Sequence, residues 1–317
     1  MSSVQYQFRV QIPATSANLG PGFDSMGIAF GLVNEMILTT HRPFGVDISG
    51  ESATMLPTDR SNVVVQAIER VIRETRLTEV PEYHLTLHNH IPVAGGLGSS
   101  ASAIVGGLML GNQLVTELAP AKALSPYALL DLAIAIEGHP DNVTPALFGG
   151  AWLCITDAGN TRTFRLPVPA ALSFAVAIPN FPLPTEAARK VLPDVIPRAD
   201  AAYNAAQAAR LVLALTTGQL ELLRGGFQDR LHEPYRKTLI PGYDDVRRAA
   251  IRSGALTVTL SGAGPSMVAW CESESVAMQA ADEMTLAWRM CNVECVTDVF
   301  TVYLDTPEVA VTRREQT

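Results

Sequence analysis

The chain has 317 residues, 48% of them hydrophobic, and a formal net charge of −8 at pH 7. That length exceeds what one core usually serves, so two domains are expected. The acidic balance argues against nucleic acid as partner and leaves any anionic ligand to local donors. No apolar run of about 18 residues offers a membrane span, and Met1 to Val10 lacks an apolar signal core, so a cytoplasmic protein is expected.

In chain order, Gln7 to Ile12 alternates as a strand, and Pro13 to Asp24 (P-A-T-S-A-N-L-G-P-G-F-D) then breaks all periodicity. This stretch reads as a rigid loop in which Gly20-Pro21-Gly22 fixes Asn18 relative to Asp24. A solvent-facing turn competes, because Asn, Asp, Gly and Pro are ordinary turn residues. A carboxylate held in a stiff frame is, however, a candidate acceptor for an ammonium or a hydroxyl. Alternation from Ile28 to Thr40 predicts a second strand, in a hairpin-like pair with Val46 to Gly50. Ser61 is placed as the cap of an amphipathic helix with Val64, Val65, Ile68, Val71 and Ile72 on one side. Asn62 then either belongs to the cap, the simpler reading, or contacts a nucleotide base.

Tyr83 to Ile91 reads as a strand that puts His84, His88 and His90 on one face. A metal site is the sharp interpretation, but His84 lies about 13 Å from His88 at strand rise and no nearby carboxylate or cysteine completes a ligand set. A solvated polar face is expected. Pro92 to Ser102 (P-V-A-G-G-L-G-S-S-A-S) joins this strand to an apolar helix, Ala101 to Leu118. Gly95, Gly96 and Gly98 let backbone N–H groups approach a ligand closely. A helix start adds unpaired donors and partial positive charge, which suits phosphate, and Ser99 and Ser100 offer hydroxyls to phosphate or magnesium. The Walker A pattern is absent, since no lysine stands beside Ser99. Gly96 to Ala101 fits the relaxed dinucleotide pattern G-x-G-x-x-A, yet no acidic strand end follows about 20 residues on, Glu117 falling inside the helix. Phosphate binding is favoured over both that pattern and a purely structural turn.

Ser125 and Pro126 start a helix that ends at Glu137 and Gly138. A proline-bracketed loop, His139 to Pro145, follows, so an imidazole, Asp141 and the amide of Asn142 cluster beside Glu137. Asp141 and Asn142 as simple turn formers are the competing view. Gly149 to Thr156 is a strand, and the polar Asp157 to Thr163 is the expected boundary between domains 1–160 and 161–317. Beyond it come a buried strand (Ala170 to Pro179), a short helix capped by Thr185 and carrying Arg189, and an alanine-rich helix (Ala201 to Leu215). Arg189 and Arg236 are candidate carboxylate clamps, against a reading as solvated surface residues. Strand Ala255 to Leu260, turn Ser261 to Ser266, strand Met267 to Cys271, helix Val276 to Met290 and strand Val293 to Tyr303 complete an α+β sandwich-like second domain. Cys154, Cys271, Cys291 and Cys295 form no C-x-x-C pair, lie in apolar strand-like segments and read as reduced core thiols.

The loop Pro92 to Ala101, the early PATSANLGPGFD stretch and the late SGAGPS turn resemble, in this order, the GHMP small-molecule kinases over nearly the whole chain. Within that superfamily the chain is most similar to homoserine kinases. The match is carried by S-A-N-L-G-P-G-F-D (Ser16 to Asp24), E-G-H-P-D-N (Glu137 to Asn142), T-E-A-A-R (Thr185 to Arg189) and E-P-Y-R (Glu233 to Arg236). The resemblance implies a two-domain α+β GHMP kinase fold. Its N-terminal domain is ribosomal-protein-S5-domain-2-like, its C-terminal domain is a ferredoxin-like α/β sandwich, and the active site lies in the cleft between them. It implies ATP-dependent phosphorylation of the side-chain hydroxyl of L-homoserine, in threonine biosynthesis, and admits a homodimer. The ATP would be held by Asn62 and by Pro92, Val93, Ala94, Gly95, Gly96, Leu97, Gly98, Ser99, Ser100, Ala101 and Ser102. Mg²⁺ would sit on Ser100 and Glu137, with Asp131 the alternative carboxylate. Asn18, Asp24, His139, Thr185, Arg189, Arg236 and Gly264 would surround homoserine. Asn142 stands where many relatives of other specificity have an aspartate base. The implied catalytic set is therefore Asn142, Glu137 and Ser100, with no dedicated protein base. A kinase for another alcohol such as mevalonate or an isoprenoid precursor, or a catalytically silent metabolite sensor, are the alternatives.

Overall fold

The computed structural model describes residues 4–225 and 228–315. Strands β1 (Val4–Ala17), β2 (Met26–Thr40), β3 (Gly45–Gly50), β4 (Tyr83–Asn89), β5 (Ala151–Asp157) and β6 (Asn160–Leu166) build a first sheet. Strands β7 (Ser173–Pro179), β8 (Thr257–Leu260), β9 (Met267–Cys271) and β10 (Cys295–Phe300) build a second, and β11 (Ala310–Glu315) returns to the first. The first sheet runs β11-β1-β2-β4-β3, with β5 on the far end of β2 and β6 beside β5; the second runs β10-β7-β9-β8. Helices α1 (Val63–Glu74), α2 (Ser99–Leu118), α3 (Pro126–Glu137) and α4 (Pro140–Phe148) belong to the first half. Helices α5 (Thr185–Lys190), α6 (Arg198–Thr217), α7 (Glu233–Arg236), α8 (Tyr243–Arg252) and α9 (Glu274–Met290) belong to the second.

Strand β7 reads S-F-A-V-A-I-P and is buried almost throughout, because both of its faces are covered. Phe174 and Val176 face a core shared with Ile28 and Phe30 of β2 and Leu211 of α6, whereas Ala175 and Ala177 face α8 and α9 through Val246, Met284 and Trp288. Phe174 packs against Phe30 at 5.2 Å and Trp270 at 5.0 Å between ring centroids. Burying aromatics of this size removes roughly 150–250 Å² each from water, about 4–6 kcal/mol apiece at roughly 25 cal/mol per Å². This shared core fixes the two sheets relative to one another and so sets the cleft between them.

Several expectations are corrected. Pro13 to Ala17 is not loop but the buried end of β1, with a register shift between Pro13 and Ala14 that accommodates the proline. Only Asn18 to Asp24 is irregular, and Asn18, Leu19 and Asp24 there all take positive φ. The β2–β3 hairpin does not form: β4 pairs antiparallel with β2, and β3 lies outside it, parallel to β4. Asn62 rather than Ser61 caps α1, its Oδ1 accepting from the Val64 N–H at 2.9 Å, while Ser61 bonds Asp59. The stretch after His139 is a helix, not a loop; Pro140 occupies the first turn, where no N–H is needed. Pro145 supplies no N–H within that helix, and Gly27 lets the α4 backbone come close: a Cβ at position 27 would fall 1.7 Å from the Asp141 carbonyl oxygen. Asp157 to Thr163 is a hairpin turn and the start of β6, so the crossing to the second sheet falls after Leu166. Thr185 is the first helical residue after Pro184 and makes no cap bond. Cys154 and Cys271 are buried and free, but Cys291 closes α9 instead of lying in a strand. Neither α8 nor β11 was anticipated.

Candidate active site

The local sequence explains how the phosphate loop is shaped. After β4 the chain turns through Ala94, Gly96 and Gly98, all at positive φ, and Gly98 is the residue before α2. Gly98 has no room for a Cβ: the atom would lie 1.9 Å from Thr15 Oγ1. At Gly96 it would lie 2.5 Å from the Ser261 carbonyl oxygen. The loop is therefore pressed between the end of β1 and the turn Ser261–Ser266. Thr15 N–H donates to the Leu97 carbonyl at 3.1 Å, Leu183 N–H to Ala94 at 3.2 Å, and the Ser261 hydroxyl to the Gly96 carbonyl at 2.7 Å. The loop reaches a ligand already ordered, which lowers the entropic cost of binding.

One cavity of about 290 Å³ runs along this loop. Its first arm is walled by Met36, Leu56, Pro57, Leu87 and the start of α1, with the amides of Asn34, Asn62 and Asn89. Its middle is Gly98, Ser99, Ser100 and Glu137, where the Ser100 hydroxyl donates to Glu137 Oε2 at 2.8 Å. Its second arm gathers Asn18, Asp24, His139, Asp141, Asn142, Thr185, Arg189 and Arg236 from both halves of the chain.

Charge in the second arm is organised in pairs. Asp24 and Arg189 face each other in a two-pronged contact at 2.9 and 3.2 Å, which raises the guanidinium pKa. His139 Nδ1 lies 3.0 Å from Asp141 Oδ1, and this bond raises the imidazole pKa against the opposing effect of burial. Arg236 is 2% exposed, and burial, followed by repulsion from Arg189, pushes its pKa down to about 10, still charged at neutral pH. Its Nε donates to the Ala188 carbonyl at 3.2 Å and its Nη1 to the Gly262 carbonyl at 3.0 Å. Phe23 lies between the charges, its ring centroid 5.9 Å from the Arg189 guanidinium carbon and 5.3 Å from that of Arg236. Asn142 Oδ1 accepts from the Thr15 hydroxyl at 2.8 Å, which leaves its NH₂ for other partners. A phosphate-cradling loop, a hydroxyl–carboxylate pair and a clamp of carboxylate and guanidinium groups thus line one cavity.

The description "GHMP kinases N terminal domain" fits residues 62–150, and "GHMP kinases C terminal" fits 208–289. A homoserine kinase of Microchaete diplosiphon is 42% identical over 305 residues, 96% of each chain. The chain belongs to the homoserine kinase family of GHMP kinases. A homoserine kinase of Moorella thermoacetica is 40% identical over 286 residues, 90% of this chain and 94% of that one. The crystal structure of homoserine kinase from Cytophaga hutchinsonii superimposes with a TM-score of 0.85 at 32% identity, covering 96% of this chain and 97% of the other. The family is one of kinases, so ATP is a substrate, and the two-domain α+β fold expected from the motifs is the one observed.

Against this family background the expected site residues divide. Asn18, Asp24, Asn62, Pro92, Val93, Ala94, Gly96, Gly98, Ser99, Ser100, Glu137, His139, Asn142, Thr185, Arg189 and Arg236 all line the cavity. Leu97, Ala101 and Ser102 turn into the core, each no more than 1% exposed. Gly95 and Gly264 stay off the wall as well: the Gly95 carbonyl accepts from Ser266 N–H at 3.3 Å, and the Gly264 N–H donates to the Ser261 carbonyl at 2.8 Å. The SGAGPS turn therefore meets the cavity through Gly262 and Ala263. Asn18 is largely a brace, its amide bonded to the Asp24 N–H at 3.0 Å and the Gly262 carbonyl at 2.8 Å. Asp131 is exposed and away from the cavity. Strand β4 ends at Asn89, so His90 lies beyond it, and the three histidines each have a local partner: His84 with Asp47, His88 with Ser49 and His90 with the Val33 carbonyl. Sequence reasoning missed the roles of Thr15, Phe23 and Ser261, although all three stood inside the motifs it singled out.

Proposed function

We propose that the protein transfers the γ-phosphoryl group of ATP in line to the side-chain hydroxyl of L-homoserine, giving O-phospho-L-homoserine, without a dedicated protein base. The observation that carries the acceptor is the pairing of Asp24 with Arg189 beside the buried Arg236. An α-amino acid offers an ammonium to Asp24 and a carboxylate to the two guanidiniums, so its zwitterion replaces the internal pair with complementary charges. Mevalonate has no ammonium and would leave Asp24 facing Arg189 alone.

The base-free step is supported by the hydrogen-bond direction at Asn142. With Oδ1 turned toward Thr15, the NH₂ is directed elsewhere and can donate to the hydroxyl oxygen, whose proton an amide is too weak a base to take. The hydroxyl is thereby oriented, and its proton passes to a phosphoryl oxygen; a loose phosphoryl transfer needs little base assistance. Backbone N–H groups at the start of α2 face the ATP phosphates. Ser100 and Glu137, both hard oxygen donors, fit Mg²⁺ and would hold it; when bound, the ion neutralises phosphate charge. His139, whose imidazole pKa is raised by its bond to Asp141, stands close to the acceptor.

We further propose a cytoplasmic protein with free homoserine and ATP as its partners. Among the described residues no helix is long and apolar enough to cross a membrane. Size-exclusion chromatography with light scattering tests the homodimer. The deciding assay couples ADP release to a panel of homoserine, mevalonate and sugar acceptors. Turnover with homoserine is expected; turnover only with another acceptor refutes the specificity while leaving the kinase fold intact. Asn142→Ala is expected to lose turnover, and full activity in that variant would remove its orienting role.

A further inference from the structure

His232 is fully buried, and both of its ring nitrogens are committed. Nε2 lies 2.9 Å from the Gly20 carbonyl oxygen and Nδ1 lies 3.2 Å from Arg236 Nη1. A carbonyl can only accept and a guanidinium can only donate. The two contacts are satisfied together by one form of the ring, the neutral Nε2–H tautomer, and a doubly protonated ring would turn an N–H toward the guanidinium. The Phe23 ring stacks on the imidazole at 5.1 Å. Gly20 begins the turn that carries Asp24, and that turn is further held by Asn204, whose amide donates to the Pro21 carbonyl at 2.9 Å. Asp229 accepts the N–H groups of Leu231, His232 and Glu233, which fixes the start of α7.

We infer that His232 is the positioning residue that locks the two charge-bearing halves of the amino-acid subsite together, tying the Gly20–Asp24 turn to Arg236 across the two domains. The inference rests on the amino-acid acceptor proposed above. Arg236 has two other anchors, the Ala188 carbonyl and the Gly262 carbonyl, and the second reaches the Asp24 turn only through Asn18, which bridges Gly262 and the Asp24 N–H. His232 bonds the Gly20 carbonyl of that turn directly, so its loss loosens the turn relative to the guanidinium. The first arm of the cavity, which holds Leu56, Asn62 and Leu87, lies outside this linkage. The charged groups facing the ring are Asp229, Arg236 and Asp24; burial and Arg236 oppose its protonation, and Asp229 and Asp24 favour it.

Two measurements test this. In His232→Leu both bonds vanish; in His232→Gln the amide keeps one donor for Gly20 and one acceptor for Arg236. The KM for homoserine is expected to rise about 10- to 100-fold in His232→Leu, the scale of a lost bond to a charged group, with the KM for ATP within about twofold of wild type. His232→Gln is expected to recover most of the loss. Equal rises in both KM values, or a Gln variant no better than the Leu variant, overturn the inference. Long-range ¹H–¹⁵N NMR on the wild-type protein is independent of activity and of whether the Leu variant folds. It is expected to show His232, one of six histidines, as the neutral Nε2–H tautomer from pH 5.5 to 8. An Nδ1–H or doubly protonated ring in that range overturns it. If the wild type does not turn over homoserine, the acceptor reading fails first, and the NMR result still reports on the His232 linkage.

Discussion

Thr15→Val removes the donor that holds Asn142 and little else. Thr15 is fully buried at the end of β1, and valine replaces its hydroxyl with a methyl of similar size. The lost bond is the 2.8 Å contact from Oγ1 to Asn142 Oδ1. Asn142 is 9% exposed, so its oxygen gains little from water in exchange. Leaving such an acceptor unpaired costs about 1–3 kcal/mol. If the amide rotates to find another partner, that cost is felt where the NH₂ must meet the acceptor hydroxyl, and kcat falls about 5- to 150-fold. If it stays in place, the cost appears as lower stability instead. Steady-state ADP release with homoserine, together with urea denaturation, separates the two, and the combined loss should fall within that range. Thr15→Ser keeps the donor and is expected to stay within about threefold of wild type in kcat. A fully active and fully stable Thr15→Val protein, or a Ser variant as impaired as the Val variant, refutes the orienting role of this bond.

Three further outcomes are expected. Gly96→Ala places a Cβ 2.5 Å from one backbone oxygen and 2.8 Å from another at a φ of +81°. It should cost about 3 kcal/mol in urea denaturation and raise the KM for ATP, whereas Gly95→Ala, with nothing nearer than 3.3 Å and no positive φ, should be close to neutral. Glu137→Gln and Ser100→Ala should each raise the Mg²⁺ concentration for half-maximal rate by about tenfold or more, with Asp131→Asn unchanged as the control. Glu233 is buried, and desolvation pushes its carboxyl pKa from 4.5 to about 7, even though it accepts from Leu260 N–H and Tyr243 Oη–H. Because the folded pKa lies above the unfolded one, the folded state holds the extra proton. Stability is therefore greatest below about pH 4.5 for this group and falls as pH rises toward 7, by up to about 3 kcal/mol. Glu233→Gln should flatten that decline between pH 5 and 7.5 in thermal melts; an unchanged slope would show that the group is not responsible.

Local chemistry in the sequence determined much of the site. A glycine loop running from a strand into a helix start is written in Gly96, Gly98 and Ser99, because positive φ and free N–H groups depend only on neighbouring residues. The helix that ends at Glu137 was equally legible from Ser125, Pro126 and Gly138. Where prediction failed, the deciding partners were distant in the chain. Pro13 to Ala17 joined β1 because β2 lay ready to pair with it, and Pro140 to Phe148 became helical because packing against β1, β2 and α2 outweighed the internal Pro145. The order of β3 and β4 depended on which strand reached β2, a choice that alternation alone does not encode. The site's charge pairs belong to the same class: Asp24 with Arg189 is 165 residues apart, and Thr15 with Asn142 is 127. The sequence by itself determined the catalogue of groups, two arginines, an aspartate, an amide and a phosphate loop. Only the tertiary structure decided that Asn142 presents its NH₂ and that Arg236 is buried against His232, because burial and hydrogen-bond direction depend on which distant residues close over a side chain.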